Sequence, residues 1–236
     1  MFGNRRYTSA VLLAAGSGTR FSATETKQMV QICDLPVFIR TALVFEQNPK
    51  INEIVIVVKA DEYDTVKKLC EEHQIAKLRS VVVGGATRQE SSLIGVESTS
   101  GKAKFVAIHD AARCLITSEM IDNVLDAAYS YRCAAAASRC VDTMKVTDAD
   151  GFISKTVDRN TMWRVFTPQV FEKSLYIAAA YMAKQDGAEV TDDCSLIERL
   201  NGRVKLVEVG SENIKLTHPS DRDFAEFILN KRGNMK

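Results

Sequence analysis

The sequence predicts an α/β fold: a mostly parallel, twisted sheet with helices on both faces and one projecting β-hairpin arm. Three observations carry this. Short β-branched runs such as Glu53–Lys59 alternate with amphipathic segments, the pattern of a parallel sheet with crossover helices. The first apolar run, Ala10–Leu13, leads into the small-residue stretch Ala14-Ala15-Gly16-Ser17-Gly18, as a strand leads into a tight ligand loop. Late in the chain, two polar, strand-like segments flank Asp148-Ala149-Asp150-Gly151, a hairpin signal.

Composition bounds the rest. The chain has 236 residues, 46% apolar and 26% charged, with a formal net charge of +1. That suits one domain over residues 1–236, with the arm at about 142–158. Near-neutral charge argues against a broad nucleic-acid face or a polybasic membrane anchor, and no apolar run is long enough to span a bilayer. The basic residues ahead of Ala10–Leu13 are followed by a run ending in glycine and arginine, which reads as a first strand rather than a signal peptide. Six cysteines form no C-x-x-C pair and no zinc spacing, so reduced, mostly buried thiols and a cytoplasmic protein are expected. Three scattered histidines indicate no metal cluster.

Taken in order, the small-residue loop is followed by Arg20 and Lys27, two cations beside a backbone that can form an anion-binding nest. Glycines used for turn geometry alone are the competing reading. A dinucleotide fingerprint needs glycine where Phe21 stands, which disfavours a dehydrogenase, and no P-loop run exists. A helix is expected over Pro36–Gln47, burying Phe38, Ala42 and Phe45, with proline in its first turn. After the strand at Glu53–Lys59, Asp61 is expected to cap a helix reaching His73. A strand over Ser80–Val83 ends in Gly84-Gly85, and Thr87–Glu90 fits a capping box starting a helix at Arg88. Its N-terminus is a second phosphate-friendly spot, or an ordinary connection.

The strand Lys104–Ile108 ends in His109-Asp110-Ala111-Ala112-Arg113, polar groups at a strand's carboxyl end, where open α/β sheets bind ligands. Ser118 is expected to cap the next helix, with Ile121, Val124, Leu125 and Ala128 inward, and Cys133–Ser138 reads as a central strand. The arm's strands are too polar for a core, and a lone hairpin is marginally stable, so it is expected to pack on a second copy. Thr167-Pro168-Gln169 precedes a helix from about Phe171 to Lys184. A short helix follows Val190–Asp193, a strand spans Val204–Val209, and a last helix over Pro219–Lys231 turns Phe224, Phe227 and Ile228 inward.

LLAAGSGTR, Lys27-Gln28, Gly84-Gly85 with Arg88 and Ser91, HDAAR at 109–113, DTMK at 142–145, TVDR at 156–159, TPQ at 167–169, TDD at 191–193 and NIK at 213–215 form an ordered set. In that order, from about Ala10 to Leu229, they resemble the 2-C-methyl-D-erythritol 4-phosphate cytidylyltransferase family. A close relative, ribitol-5-phosphate cytidylyltransferase, shares several motifs. TVDRNTMW and Ala112 look more like the methylerythritol enzymes. The chain departs from the family at Thr26 and Cys114, where proline is usual, at Ala86, in a stretch that usually holds aspartate, and at Phe166, usually glutamine.

The resemblance implies a Rossmann-like nucleotidyltransferase fold and a cytidylyltransferase of isoprenoid precursor synthesis, joining CTP to a polyol phosphate with release of pyrophosphate. A non-catalytic nucleotide-binding regulator is the alternative from another class. Arg20, Lys27, Arg159 and Lys215 are the implied catalytic residues. Backbone at Ala14, Ala15, Gly16, Ser17, Gly18, Gly84 and Gly85, with Arg88 and Ser91, is implied to hold the nucleotide. Asp110, Arg113, Thr143, Arg159, Thr167, Thr191 and Lys215 are implied to meet the acceptor. Mg²⁺ is the implied cofactor, with Asp110 its protein candidate. A homodimer with shared sites is implied, Thr143 and Arg159 coming from the partner subunit.

Overall fold

The computed structural model describes residues 6–16, 26 and 28–233. Its strands are β1 (Thr8–Leu13), β2 (Gln31–Ile32), β3 (Leu35–Pro36), β4 (Glu53–Val58), β5 (Leu78–Val83), β6 (Phe105–Asp110), β7 (Cys133–Arg139), β8 (Lys145–Thr147), β9 (Ile153–Thr156), β10 (Trp163–Glu172) and β11 (Lys205–Glu208). The α-helices are α1 (Val37–Gln47), α2 (Tyr63–Glu72), α3 (Arg88–Glu97), α4 (Ser118–Tyr131), α5 (Lys173–Gln185), α6 (Asp193–Arg199) and α7 (Ser220–Gly233).

The main sheet has seven strands in the order β11-β7-β10-β6-β1-β4-β5. β10 runs antiparallel to both β6 and β7, and every other neighbouring pair is parallel. The expected mostly parallel α/β sheet is therefore present. β1, β4 and β6 are buried at nearly every position, as continuous apolar strands covered on both faces must be. One face packs on α1, α2 and α4 through Phe38, Phe45, Val66 and Leu125. The other packs on α3, α5 and α6 through Val96, Tyr176, Ala180 and Leu196. Gly95 of α3 lies against Val11 and Val57, and a Cβ there would overlap both valines. Glycine is what lets α3 sit this close to the sheet.

Several elements differ from expectation for local reasons. Asp61 falls inside a 3₁₀ turn, Ala60–Glu62, and α2 starts at Tyr63 without a side-chain cap. Thr117, not Ser118, caps α4, its hydroxyl accepting from Met120 N–H at 3.2 Å, while the Ser118 hydroxyl accepts from Asn48. TPQ does not lead directly into a helix. It lies inside the ten-residue strand β10, whose pairing with β7 slips between Val165 and Gln169, and that irregularity accommodates Pro168. In α7, Ala225 and Ile228 are buried against Val30, Ile32 and Leu115, whereas Phe224 and Phe227 are exposed. The small hairpin β2–β3 was not anticipated. It turns through Cys33 and Asp34, both at positive φ.

The arm forms as expected. β8 and β9 pair antiparallel, and Gly151 closes the turn at φ +87°. Both strands are exposed throughout. Val146, Phe152 and Ile153 are among the exposed large apolar residues, so the arm shows more apolar surface than its polar sequence suggested.

Candidate active site

Parallel register brings four loops to one edge of the sheet. Leu13 of β1 lies level with Val57 of β4 and with Asp110 of β6, and Val58 lies level with Val83 of β5. The chain segments after β1, β4, β5 and β6 therefore leave side by side, at the carboxyl ends where such sheets bind ligands. A cleft of about 350 Å³ opens there. It is lined by Ala15 and Gly16, by Gly85, Arg88 and Ser91, and by Asp110 and Lys215, all singled out by sequence. Gln28, Ala86, Thr87 and Ala112 complete much of its wall.

The two glycine-bearing loops touch. A Cβ on Gly84 would stand 2.6 Å from Ser91 Oγ and 2.9 Å from Ala15 Cβ, so a larger residue would push them apart. Ser91 Oγ accepts from the Gly85 N–H at 3.1 Å, and the Thr87–Glu90 capping box is formed in both directions. Ala14 is committed to structure: its N–H donates to Val57 O at 2.7 Å and its carbonyl accepts from Gln28. Ser17, Gly18, Arg20 and Lys27 lie outside the described residues.

Asp110 is the charged centre. Lys215 Nζ stands 2.9 Å from Oδ2, Arg113 Nε 3.5 Å from Oδ2, and Arg88 Nε 3.5 Å from Oδ1. Burial pushes the Asp110 carboxyl up, but the Lys215, Arg88 and Arg113 cations outweigh it and hold the group well below the usual carboxylate range. Arg88 also donates to Asp193 Oδ2 at 2.7 Å. Asp193 is buried and accepts from the Tyr176 hydroxyl at 2.9 Å. Among the described lining residues, Arg88 and Lys215 face the single carboxylate of Asp110, so the wall is net positive, as a polyphosphate requires.

Behind Asp110 stands a hydrogen-bonded support. Thr167 Oγ1 accepts from the Asp110 N–H at 3.0 Å and lies 3.1 Å from His109 Nδ1, while His109 Nε2 is 3.3 Å from Arg113 O. A neutral imidazole with its proton on Nε2 satisfies every partner: Thr167 donates to Nδ1, and Nε2–H donates to the carbonyl. Arg113 donates to Asn213 O at 2.8 Å and stacks on Phe166, and Asn213 Nδ2 donates to Thr167 O at 2.8 Å. With Leu216 N–H on Ala112 O, these bonds dock segment 213–216 and deliver Lys215 to the cleft. Arg113 and Thr167 are buried in this support rather than on the cleft wall. Thr143, Arg159 and Thr191 are exposed and do not line the cleft of their own chain.

His109, Gln169, Asp193 and Asn213 were given no individual role by sequence, although each lies in a quoted motif. Gln169 Oε1 accepts from the N–H groups of Asp193 and Cys194, and its amide donates to Asp192 Oδ2, so TPQ orients TDD and thereby Arg88.

The decisive comparison is with a family model. The model for 2-C-methyl-D-erythritol 4-phosphate cytidylyltransferase matches residues 8–231. The chain belongs to this family. Family members from Shouchella clausii and Caldanaerobacter subterraneus are each 39% identical to it, covering 96% and 94% of this chain and 98% and 99% of theirs. A solved 4-diphosphocytidyl-2C-methyl-D-erythritol synthase from Anaerococcus prevotii superposes with a TM-score of 0.86 at 27% identity, over 97% of this chain and 98% of that one. The enzyme from Thermus thermophilus gives 0.76 at 26% identity, over 93% and 98%. Membership makes the chain a nucleotidyltransferase.

Burial gives His109 a measurable consequence. It drives the imidazole pKa down to about 3, against about 6.5 when unfolded. Between those values the unfolded chain binds a proton that the folded chain refuses. This contribution to stability is complete above about pH 6.5 and is lost as pH falls toward 3. Urea unfolding from pH 7.5 to 5 should show falling stability. The profile should be flatter in His109→Gln, whose side chain does not titrate. An unchanged slope in that variant would assign the acid sensitivity elsewhere.

Proposed function

We propose that this enzyme joins CTP to 2-C-methyl-D-erythritol 4-phosphate, releasing pyrophosphate and a CDP-alcohol for isoprenoid precursor synthesis. The observation that carries the reading is Asp110 with Arg88, Arg113 and Lys215 around it, at the cleft edge between two small-residue loops. An acceptor phosphate oxygen forms a bond to the α-phosphorus of CTP as the bond from that phosphorus to the pyrophosphate oxygen breaks. No proton has to move and no covalent enzyme intermediate is needed. What the reaction needs is alignment of two anions and cations fixed where charge gathers. Lys215, held by Asp110, and Arg88, held by Asp193 and Asp110, are such cations, and Arg20 and Lys27 of the glycine-rich stretch add two more.

Asp110 suits Mg²⁺, which takes few protein ligands: among the described residues its Oδ1 meets a cation only in the 3.5 Å contact to Arg88, and Asp110 lines the cleft. When bound, the ion would neutralise triphosphate oxygens and favour pyrophosphate departure. No group of three or more His, Cys, Asp or Glu side chains that could hold a metal ion occurs among the described residues.

The enzyme is proposed to act as a homodimer. Val141, Val146, Phe152 and Ile153 leave the arm with apolar surface to cover, and Thr143 and Arg159 stand at its base, where a partner's acceptor site would use them. A cytoplasmic setting agrees with six free thiols, four of them buried, and no helix among the described residues is long and apolar enough to cross a membrane.

Pyrophosphate release tests the reading. CTP with methylerythritol phosphate should turn over, and ribitol 5-phosphate should be much slower. Faster release with ribitol phosphate would reassign the acceptor. CTP binding with no release against either would favour the regulator.

A further inference from the structure

We propose that Glu62 is a positioning residue for the nucleotide cleft, a buried carboxylate that fixes the orientation of Gln28 and ties down Thr26. Glu62 closes the 3₁₀ turn after β4, on the same sheet edge as the cleft. It is 9% exposed, and a carboxylate this buried is costly unless donors surround it. Two donors come from one short stretch of chain. Gln28 Nε2 donates to Oε2 at 3.0 Å, and the Thr26 hydroxyl donates to Oε1.

Gln28 is buried yet reaches the cleft wall. Its amide nitrogen also donates to Ala14 O at 2.6 Å, with Gly16 O farther away at 3.4 Å. Both strong partners of that nitrogen are acceptors. If the amide turned over, its oxygen would face the Ala14 carbonyl and the Glu62 carboxylate, with no donor between them. Ionised Glu62 only accepts, so it admits one orientation of Gln28. That orientation fixes the Ala14 carbonyl. In a planar trans peptide the following N–H points the opposite way, so the Ala15 N–H is aimed by the same bond. Ala14 N–H is separately held by Val57 O, which leaves the entry to the glycine-rich stretch little freedom.

Thr26 adds a second tie to the device. Proline, usual at this position, restricts φ but donates nothing. Here the tie to Glu62 takes over the restraint. Position 27, a proposed catalytic lysine, follows Thr26 and precedes Gln28, between two residues anchored on one carboxylate. The brace thus orders Ala14, Thr26 and Gln28 before nucleotide arrives, and ordering already achieved need not be supplied by binding energy.

The effect on turnover rests on the proposed function; the effect on the loop does not. Three variants and three readouts separate them. Glu62→Leu removes both acceptors. Glu62→Gln keeps an oxygen for Gln28 and offers its own amide to the Thr26 hydroxyl. Thr26→Val removes one bond at the edge of the device. In ligand-free protein, hydrogen exchange at amides 14–16 should quicken at least tenfold in Glu62→Leu and stay near wild type in Glu62→Gln. Calorimetric CTP affinity should fall about tenfold in Glu62→Leu and about threefold in Thr26→Val, with the melting temperature of Thr26→Val unchanged. In pyrophosphate release, kcat should fall in Glu62→Leu while KM for the acceptor holds, and Glu62→Gln should recover most of kcat. Wild-type exchange in Glu62→Leu, or equal damage in Glu62→Gln and Glu62→Leu, overturns the proposal. If Glu62→Leu fails to fold, unchanged exchange and affinity in Thr26→Val overturn it. Should wild type itself fail to bind CTP, the functional reading fails and the exchange measurements still decide the brace.

Discussion

Asp110→Asn should lower turnover by about a hundredfold to a thousandfold, the cost typical of losing one preorganised charged group. Asparagine keeps the shape and can still accept from Lys215 at the 2.9 Å position. What it loses is the charge that gathers Lys215, Arg88 and Arg113, so those cations repel one another and Lys215 is held over the cleft less firmly, by a hydrogen bond to a neutral acceptor alone. The loss should therefore appear in kcat. Metal-free CTP should bind no more weakly, because an anion has been removed from beside its phosphates, whereas Mg²⁺ should strengthen nucleotide binding less than it does in wild type. Stability should fall too, since removing one member of a buried charge network typically costs about 3–5 kcal/mol. The pH dependence has a definite sign. The cations depress the folded-state pKa of Asp110, so its contribution to stability is complete above its unfolded value near 4 and is lost only as pH falls below that. Asp110 should therefore add no acidic limb to turnover between pH 5 and 8. Turnover within tenfold of wild type in a folded variant would remove Asp110 from the mechanism.

Much of this site could be read from sequence because its parts sit at strand ends. Gly84-Gly85 follows β5, Asp110 ends β6, and the small-residue stretch follows β1, so the sheet alone assembles them. The supports were harder to see because they join distant segments. Asp193 meets Arg88 across 105 positions, and Glu62 meets Gln28 across 34. Neither has a local pattern: a buried acid in a 3₁₀ turn looks like any exposed one until the fold covers it. β10 was missed because a proline inside a run argues against a central strand, and the pairing slip between Val165 and Gln169 makes room for Pro168. Phe224 and Phe227 show the limit of helical periodicity. α7 buries a narrow stripe centred on Ala225 and Ile228, and apolar spacing alone did not locate it.

The arm supplies the other large effect. Deleting residues 145–155 and closing the gap with glycines should give a monomer that still binds CTP and has lost most acceptor binding. Phe152 and Ile153 are 72% and 64% exposed in the isolated chain, an apolar display that a partner would cover. Among the described residues Arg159 reaches only to Val141 O, at 3.3 Å, so its charge remains available to an incoming phosphate. Mixing subunits decides whether that phosphate lies in the partner's site. Lys27→Ala and Arg159→Ala should each be nearly inactive alone. If Lys27 serves its own chain's site and Arg159 the partner's, a heterodimer carries one site lacking both residues and one site keeping both. After exchange of equal amounts, half the dimers are mixed and half the sites in each are intact, so about a quarter of wild-type activity should return. A mixture that exchanges subunits, verified by differently tagged chains, yet stays as inactive as its parents would place both residues in the site of their own chain and leave the arm a surface flap.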